Sequence, residues 1–249
     1  MIEEQITLIN LNQGVVFSKH DLFVLLKEKG YSKTEGSFLI DFQKIINAGK
    51  VQRVGRNAYC VSKGGKIQYT YRYSTKAQDI AKCLQDNHPY ADFVIFETIQ
   101  LNEFINHQIG RNTFFVFIDN DVIDFAFDTL RNAYPSQVMV SPGIKEFHQY
   151  RNDNSIVLTR LISESPKAVN IKWHATLEKI LVDIMADKLV KEIFSESENK
   201  AIYEDAFERY VVDESKMFRY ARRRNAATKI KKFIMDNTSI QLKLEAKND

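Results

Sequence analysis

Acidic side chains that could support metal-dependent chemistry occur in three short runs of the sequence. Asp119-Asn120-Asp121 follows an apolar segment that is predicted to be a buried strand, so its carboxylates would project from the strand's carboxyl end, a common place for active sites. A metal-dependent nuclease usually adds a strand lysine, which neither this run nor Glu97-Thr98-Ile99 supplies. Glu214-Ser215-Lys216 has the spacing, but in a helical pattern. We therefore predict no catalytic residues, and we expect Asp121 to cap the following helix.

The other residue types that carry chemistry are not arranged as sites. Cys60 and Cys83 match no metal or redox spacing and are expected to be reduced thiols of a cytosolic protein. Gly64-Gly65 is not followed by the Lys-Ser or Lys-Thr of a phosphate-binding loop. The five histidines show neither metal-ligand spacing nor a nucleophile partner: His20, His88, His107, His148 and His174. We expect a protein that is not an enzyme and binds no metal or cofactor.

The overall composition describes a folded protein and leaves its partner open. With 249 residues, of which 44% are hydrophobic, the chain can form one large domain or two ordinary ones. Its formal charge of +3 at pH 7 is too small to indicate nucleic-acid binding, so such a signal must come from local clusters. The acidic start and the lack of a long apolar run predict a cytoplasmic protein with no membrane partner.

The strongest cluster of charge lies in a helical pattern near the end of the chain. No acidic residue stands between Glu214 and Asp236, and at helical spacing Arg219, Arg222 and Arg223 share one side. Two interpretations stay open: a surface for DNA phosphates or an acidic partner, and a solvated face that balances the acidic stretch 192–208. The residues of this basic patch are Arg219, Arg222, Arg223, Arg224, Lys229 and Lys232.

Two capped helices near the amino end must position any DNA contacts. After a weakly marked helix at 2–10, the capping box Ser18-Lys19-His20-Asp21 predicts a helix that ends at Gly30. A second box, Ser32-Lys33-Thr34-Glu35, predicts a helix from Lys33 to about Ala48. Only three residues, the first of them Gly30, separate the two helices. This spacing is typical of a helix-turn-helix, whose second helix enters the major groove.

The second helix of this pair and the segment after it carry the predicted DNA contacts. Its predicted buried stripe is Phe38, Leu39, Phe42, Ile45 and Ile46. Gly36 lies off that stripe and has no side chain to hold the backbone away from DNA. Strands 50–54 and 58–61, joined by Gly55-Arg56-Asn57, predict a hairpin wing whose cations reach phosphates or the minor groove. The predicted contacts are Lys33, Thr34, Ser37, Lys44, Arg53 and Arg56.

Linker composition marks a boundary after this unit. Ser62-Lys63-Gly64-Gly65-Lys66 is flexible and contains no apolar residue. We therefore predict a winged helix-turn-helix domain over residues 1–66 and a second domain over residues 67–249. A protein-docking module is the alternative for the first unit, because small helical folds serve many functions.

The second domain alternates strands with helices. Strands are predicted at 67–73, 93–96, 114–118, 138–140 and 156–162, and helices around 77–84, 101–107 and 122–131. Apolar strands that alternate with helices indicate a sheet that is buried on both faces and mostly parallel. From Thr176 onward the pattern is helical, over 177–184, 202–211 and 217–234. The predicted fold is thus α/β (α+β overall): an N-terminal winged helix, then an α/β domain with a helical C-terminal part.

Two later segments carry a family resemblance. The order of a winged helix, then Trp173-His174-Ala175-Thr176-Leu177-Glu178-Lys179-Ile180-Leu181-Val182-Asp183, then Arg219-Tyr220-Ala221-Arg222-Arg223-Arg224 resembles the AbiEi family over nearly the whole chain. Members of that family are antitoxins and transcriptional regulators of type IV toxin-antitoxin systems in bacterial phage defence. The resemblance carries over Thr176, Glu178, Lys179 and Asp183 as a family motif without a known chemical role, together with the basic run.

The resemblance implies a winged helix that binds double-stranded DNA at repeats in its own promoter. It also implies a C-terminal domain that counters a nucleotidyltransferase toxin without a stable complex. Leu177, Ile180, Leu181 and Ile184 make the motif helix a core element, so we expect its polar residues to cap and brace it. The alternative is a winged-helix protein whose C-terminal domain is a metal-dependent nuclease or a ligand-sensing domain.

Overall fold

A small sheet and two helices form the amino-terminal part of the protein. The structure, a computed structural model, describes residues 16–55, 57–61, 66–105 and 107–243, so the predicted helix at 2–10 lies outside the described residues. Strand β1 is Val16–Phe17, helices α1 and α2 are Lys19–Glu28 and Glu35–Asn47, and strands β2 and β3 are Val51–Gly55 and Ala58–Val61. The three strands form an antiparallel sheet in the order β1-β3-β2. Strand β1 was not predicted, because two residues carry no periodic pattern.

The start of α2 differs from its prediction by two residues. The capping box of α1 at Ser18 and Asp21 is confirmed, as is the left-handed Gly30. Helix α2, however, is capped by Thr34, whose Oγ1 accepts a hydrogen bond from the amide of Ser37, and not by Ser32. Tyr31 is buried with its ring edge-on to that of Phe38. Because this packing draws the chain inward ahead of the helix, Thr34 is the first residue placed to cap it.

The larger part is built on a four-stranded sheet. Its strands are β4 (Phe93–Glu97), β5 (Thr113–Ile118), β6 (Val138–Val140) and β7 (Ser155–Arg160), in the order β4-β5-β7-β6. Helix α3 (Thr75–Asn87) precedes β4 in the chain, and helices α4 (Ile123–Ala133) and α5 (Ile144–Tyr150) lie between the strands. Strand β7 pairs in parallel with both β5 and β6, whereas β4 and β5 are antiparallel.

The antiparallel pair corrects the prediction of a mostly parallel sheet to a mixed one. The predicted helix around 101–107 is a short 3-10 helix, Thr98–Glu103. This connection supplies no α-helix to carry the chain across the sheet face, as parallel neighbours require, and the chain turns back instead.

The predicted strand at 67–73 is also wrong. Ile67 forms an isolated bridge with Tyr210, and β4 pairs on its outer edge with the segment at Trp173, whose carbonyl accepts from the amide of Ile95 at 2.8 Å. Because that edge is occupied, the segment has no ladder to join. Tyr73 reaches inward, donating to the carbonyl of Ile95 and accepting from the amide of Ala175.

Helices cover both faces of the sheet. Helices α3 and α4 pack on one face, and the opposite face is covered by α6 (Leu177–Ala186), α7 (Glu196–Arg209), α8 (Glu214–Arg223) and α9 (Ala227–Asn237), with a 3-10 turn at Val190–Glu192. Burial on both faces, which the unbroken apolar runs predicted, is confirmed. Among the described residues, no helix combines the length and the apolar character needed to cross a lipid bilayer.

The predicted continuous helix at 217–234 is two helices. The chain breaks between them at Asn225, which has a φ of 52°. The amide of Ala226 donates to the carbonyl of Ala221 at 2.9 Å, the bond that closes a left-handed helix end. Asparagine tolerates this conformation better than most other residues with side chains, so the residue type at this position favours the break between the two helices.

The two parts of the chain meet at β2 and at the segment after the linker. Helix α8 packs against β2, and Ile67 exchanges backbone hydrogen bonds with Arg209 and Val211. The predicted boundary near residue 66 stays a prediction, since nothing tests whether the two parts fold separately. Gly49, with a φ of 70°, approaches Lys66 so closely that a Cβ there would lie 1.7 Å from the Lys66 carbonyl oxygen.

Gly49→Ala should therefore destabilise the protein. The new Cβ meets backbone atoms and the left-handed conformation disfavours alanine, so we expect the free energy of unfolding to fall by roughly 1–3 kcal/mol, measured by urea denaturation. Gly36→Ala is the matched control: a Cβ there meets nothing within 4 Å on helix α2, and the change should be neutral or stabilising. Equal stability of Gly49→Ala and its parent would contradict the close approach.

Candidate functional site

The exposed face of α2 carries four of the residues predicted to contact DNA. Lys33 lies just before the helix and Lys44 near its end, and both pair with Asp41, at 2.8 and 3.5 Å. The lysines hold the pKa of Asp41 below its usual value. Thr34 and Ser37 are engaged with each other in the helix cap. Exposed ion pairs are worth little, so both lysines can leave Asp41 for a phosphate.

Two large apolar side chains of α2 are exposed. Leu39, predicted to be buried, is 43% exposed, and its neighbour Ile40 is 62% exposed. The buried stripe is Phe38, Phe42 and Ile45, with Ile46 partly buried. Leu39 lies about 100° around the helix from Phe38, at the edge of the stripe, so more of its side chain reaches solvent.

The predicted wing is described only in part. Strands β2 and β3 form the expected hairpin, with a register irregularity between Arg53 and Gly55. Arg56 and the side chain of Arg53 lie outside the described residues. Both remain predicted DNA contacts.

The family-motif residues have structural partners. Thr176 caps α6 by accepting from the amide of Lys179, and the carboxylate of Glu178 accepts from the amide of Asp213 just before α8. Lys179 and Asp183 are each 1% exposed, and their side chains form an ion pair at 2.5 Å within α6. These contacts agree with the expectation that the polar residues of this helix cap and brace it.

Asp183 joins the motif to the basic run. One carboxylate oxygen accepts from Lys179, and the other accepts from the hydroxyl of Tyr220 at 3.0 Å and lies 3.6 Å from Arg224. Arg224 also pairs with Asp187 at 2.8 Å. Two cations and two anions thus balance, and we call Lys179, Asp183, Asp187, Tyr220 and Arg224 the buried ionic network.

Burial and partners oppose each other in this network. Burial lowers the pKa of Lys179, while Asp183 raises it; the ammonium also lies 3.5 Å from the ring centre of Phe117 on β5. Burial would lower the pKa of Arg224, but Asp183 and Asp187 outweigh it and the pKa is raised. The network is almost entirely buried, and its ion pairs join α6 to the end of α8. Sequence reasoning missed Asp187, one helical turn after Asp183, and Tyr220, whose position gave no signal.

The basic patch is divided by the fold. Arg224, with a side chain 11% exposed, belongs to the buried ionic network and not to a surface, which corrects its assignment. Arg219 and Arg223 are exposed and contact Glu164 and Ser163. Arg222 is exposed on the same helix. Lys229 and Lys232 lie on α9 across the turn at Asn225, where Lys229 donates to the carbonyl of Met185.

The acidic run after β5 lines a cavity. Asp119 and Asp121 do so together with Arg160, the last residue of β7, and Lys167 from the segment that follows it, in a volume of about 640 Å³. Helix α4 begins after a 3-10 turn, without a side-chain cap, so Asp121 does not cap it as predicted. Within the described part of the chain, no cluster of three or more histidine, cysteine or acidic residues could hold a metal ion.

The chain belongs to a protein family. Residues 37–240 match the model of a family described as a family of unknown function, DUF6577. No curated protein matches the chain. Among solved structures, the RV2827C protein from Mycobacterium tuberculosis is 14% identical, over 89% of this chain and 76% of that one, with a TM-score of 0.23. This similarity is too weak to support an inference about fold or function.

Breaking the buried ionic network should cost more than any surface change. We expect Lys179→Met and Asp183→Leu each to lower the free energy of unfolding by about 3–5 kcal/mol, because each leaves charge buried without its partner. Chemical denaturation measures this, and the double variant should lose less than the sum of the two. Arg219→Met, which breaks an exposed pair, is the control and should cost under about 1 kcal/mol. Single variants as stable as this control would contradict the bracing role.

Proposed function

We propose that the protein is a DNA-binding transcriptional regulator whose residues 1–66 form a winged helix-turn-helix. The observation that carries this proposal is the topology of 16–61: β1 precedes the two helices, pairs with β3, and β3 forms a hairpin with β2. That order suits a winged helix, in which α2 enters the major groove and the hairpin lies against the backbone. Gly36, exposed near the start of α2, leaves room for close approach.

Helix α8 extends the proposed DNA surface. It packs against β2, so the exposed Arg219, Arg222 and Arg223 belong to an element beside the hairpin. The contacts of Arg219 and Arg223 at the surface are weak enough to be exchanged for phosphates. This arrangement favours the DNA interpretation of the arginines of α8 over a purely solvated face.

A protein-docking face on α2 is the second candidate. The exposed Leu39 and Ile40 favour it, since apolar side chains gain most from a partner that removes them from water. The same side chains could contact thymine methyl groups in the major groove. A measurement of DNA binding therefore distinguishes a DNA-binding α2 from a protein-docking α2.

Lys44→Ala, Arg56→Ala and Arg222→Ala should each weaken binding to the DNA upstream of the protein's own reading frame. Each removes a cation that we assign to a phosphate, so the slope of log affinity against log salt should fall by about 1 per residue. Fluorescence anisotropy at several salt concentrations measures both quantities.

Lys82→Ala is the matched control, because Lys82 is an exposed lysine of α3 that pairs with Asp86 much as Lys44 pairs with Asp41. It should leave affinity and slope unchanged. If the three variants bind like this control, the assigned surface does not bind DNA.

The proposal includes the antitoxin role that the AbiEi resemblance implies. Its two motif segments, at α6 and at α8, share the buried ionic network through Asp183. A motif spread over two segments that meet in one network supports a common structural core with that family. The proposed partner is a nucleotidyltransferase toxin encoded beside this gene, countered without a stable complex.

Co-expression with such a toxin should restore bacterial growth, and the DNA-binding variant Arg56→Ala should still protect, since we assign protection to the C-terminal part. Growth curves measure protection, and Asp183→Leu, which disrupts that part, is the control expected to fail. Absence of protection by the parent chain would refute the antitoxin role and leave DNA binding untouched.

A further inference from the structure

A cavity of about 640 Å³ opens at the carboxyl ends of β5 and β7, two parallel neighbours. One wall is the loop after β5, with Asp119 and Asp121, and the other is the end of β7 at Arg160 with the segment that follows it. Ligands of α/β sheets bind outside the carboxyl ends of parallel strands, and the volume is in the range of small-molecule sites.

The cavity presents both signs of charge. Asp92 pairs with Lys167, and its amide donates to Asp119. Burial raises the pKa of Asp119, and the negative charge of Asp121 raises it further. On the other wall, Arg160 is exposed and forms no ion pair within the described part of the chain. Asp119 and Asp121, on the loop after β5, form no ion pair within the described part of the chain, so this wall carries uncompensated negative charge.

Ser165 contributes a buried hydroxyl that has no hydrogen-bond partner among the described residues. It lines the cavity at 8% exposure, and its Oγ has no hydrogen-bond partner in the described part of the chain. A buried hydroxyl left unpaired costs free energy, and rotation about χ1 can turn it toward a ligand. Its neighbour Glu164 has a φ of 61°, so the segment is held in a disfavoured conformation beside the cavity.

We propose that this cavity binds a small zwitterion of the amino-acid type, with its ammonium group at Asp119 and Asp121 and its carboxylate at Arg160 and Ser165. A simple anion would meet the three aspartates, and a simple cation would meet Arg160 and Lys167. A zwitterion satisfies both walls with charge-assisted hydrogen bonds.

The site is connected to the DNA-binding part. Ser163 and Glu164, which line the cavity, hold Arg223 and Arg219 of α8, and α8 packs against β2. A ligand that orders this segment therefore changes how α8 presents its arginines beside the hairpin. This regulatory step rests on the proposed DNA binding, whereas ligand binding does not.

Calorimetric titration of the full chain with the twenty common L-amino acids, one at a time, tests the site. We expect at least one to bind, and its N-acetyl and its amide derivatives, which each lack one charge, to bind at least about tenfold more weakly. Asp121→Asn and Arg160→Gln should raise the Kd by a similar factor. Asp124→Asn, an exposed acid of α4 outside the cavity, is the control and should leave the Kd unchanged.

The proposal is overturned if no amino acid binds, if the derivatives bind equally well, or if both cavity variants keep the parent's Kd. The regulatory step has a separate readout. A saturating amount of the bound amino acid should change the affinity for upstream DNA at least about threefold in the parent and not in Asp121→Asn. An unchanged DNA affinity with ligand bound would overturn the regulation alone, and an absence of DNA binding would refute the proposed function alone.

Discussion

The pairing of Lys179 with Asp183 beneath the central sheet is the constraint on which most of the other contacts depend. Removing both charges from water is costly, and the cost is recovered only because Tyr220, Arg224 and the ring of Phe117 complete their surroundings. These partners come from β5, α8 and the turn after α8. The two charges can therefore be buried only when those elements are arranged as they are here. The pair therefore specifies how the helical layer sits on the sheet.

That arrangement determines what reaches the surface of α8. Because Tyr220 and Arg224 point inward, together with Met217 and Ala221, the arginines at 219, 222 and 223 are left on the exposed side, and the helix presents β2 with a fixed face. The proposed DNA surface, the cavity rim and the buried network thus all depend on how α8 is oriented about its own axis. A substitution in the core can alter the surface without touching it.

The sequence predicted the features that local chemistry determines. Capping at Ser18, the left-handed end at Gly30 and the apolar strands β4, β5 and β7 each depend on a few neighbouring residues. The errors concern features that depend on distant partners. The direction of β4 depends on what its connection becomes, and the segment at Tyr73 is no strand because the segment at Trp173 occupies the edge.

The same distinction holds for the candidate site. Arg224 looked like its neighbours in sequence, and only the carboxylates of Asp183 and Asp187, brought from another helix and the turn after it, remove it from the surface. Asp119 and Asp121 were found as acids after a strand. Arg160, Ser165 and Lys167 were not, since no spacing links them to those acids before β5 and β7 pair.

The strand order has a further consequence during synthesis. Strand β7 lies between β5 and β6 although it is made after both, so a growing chain holds a gap in its sheet until β7 emerges from the ribosome. The face of the sheet with Phe96, Phe115 and Phe117 stays uncovered longer still, until α6 to α9 follow. Such a nascent chain exposes apolar surface and unpaired strand edges, which makes it a substrate for chaperones and sensitive to truncation near its carboxyl end.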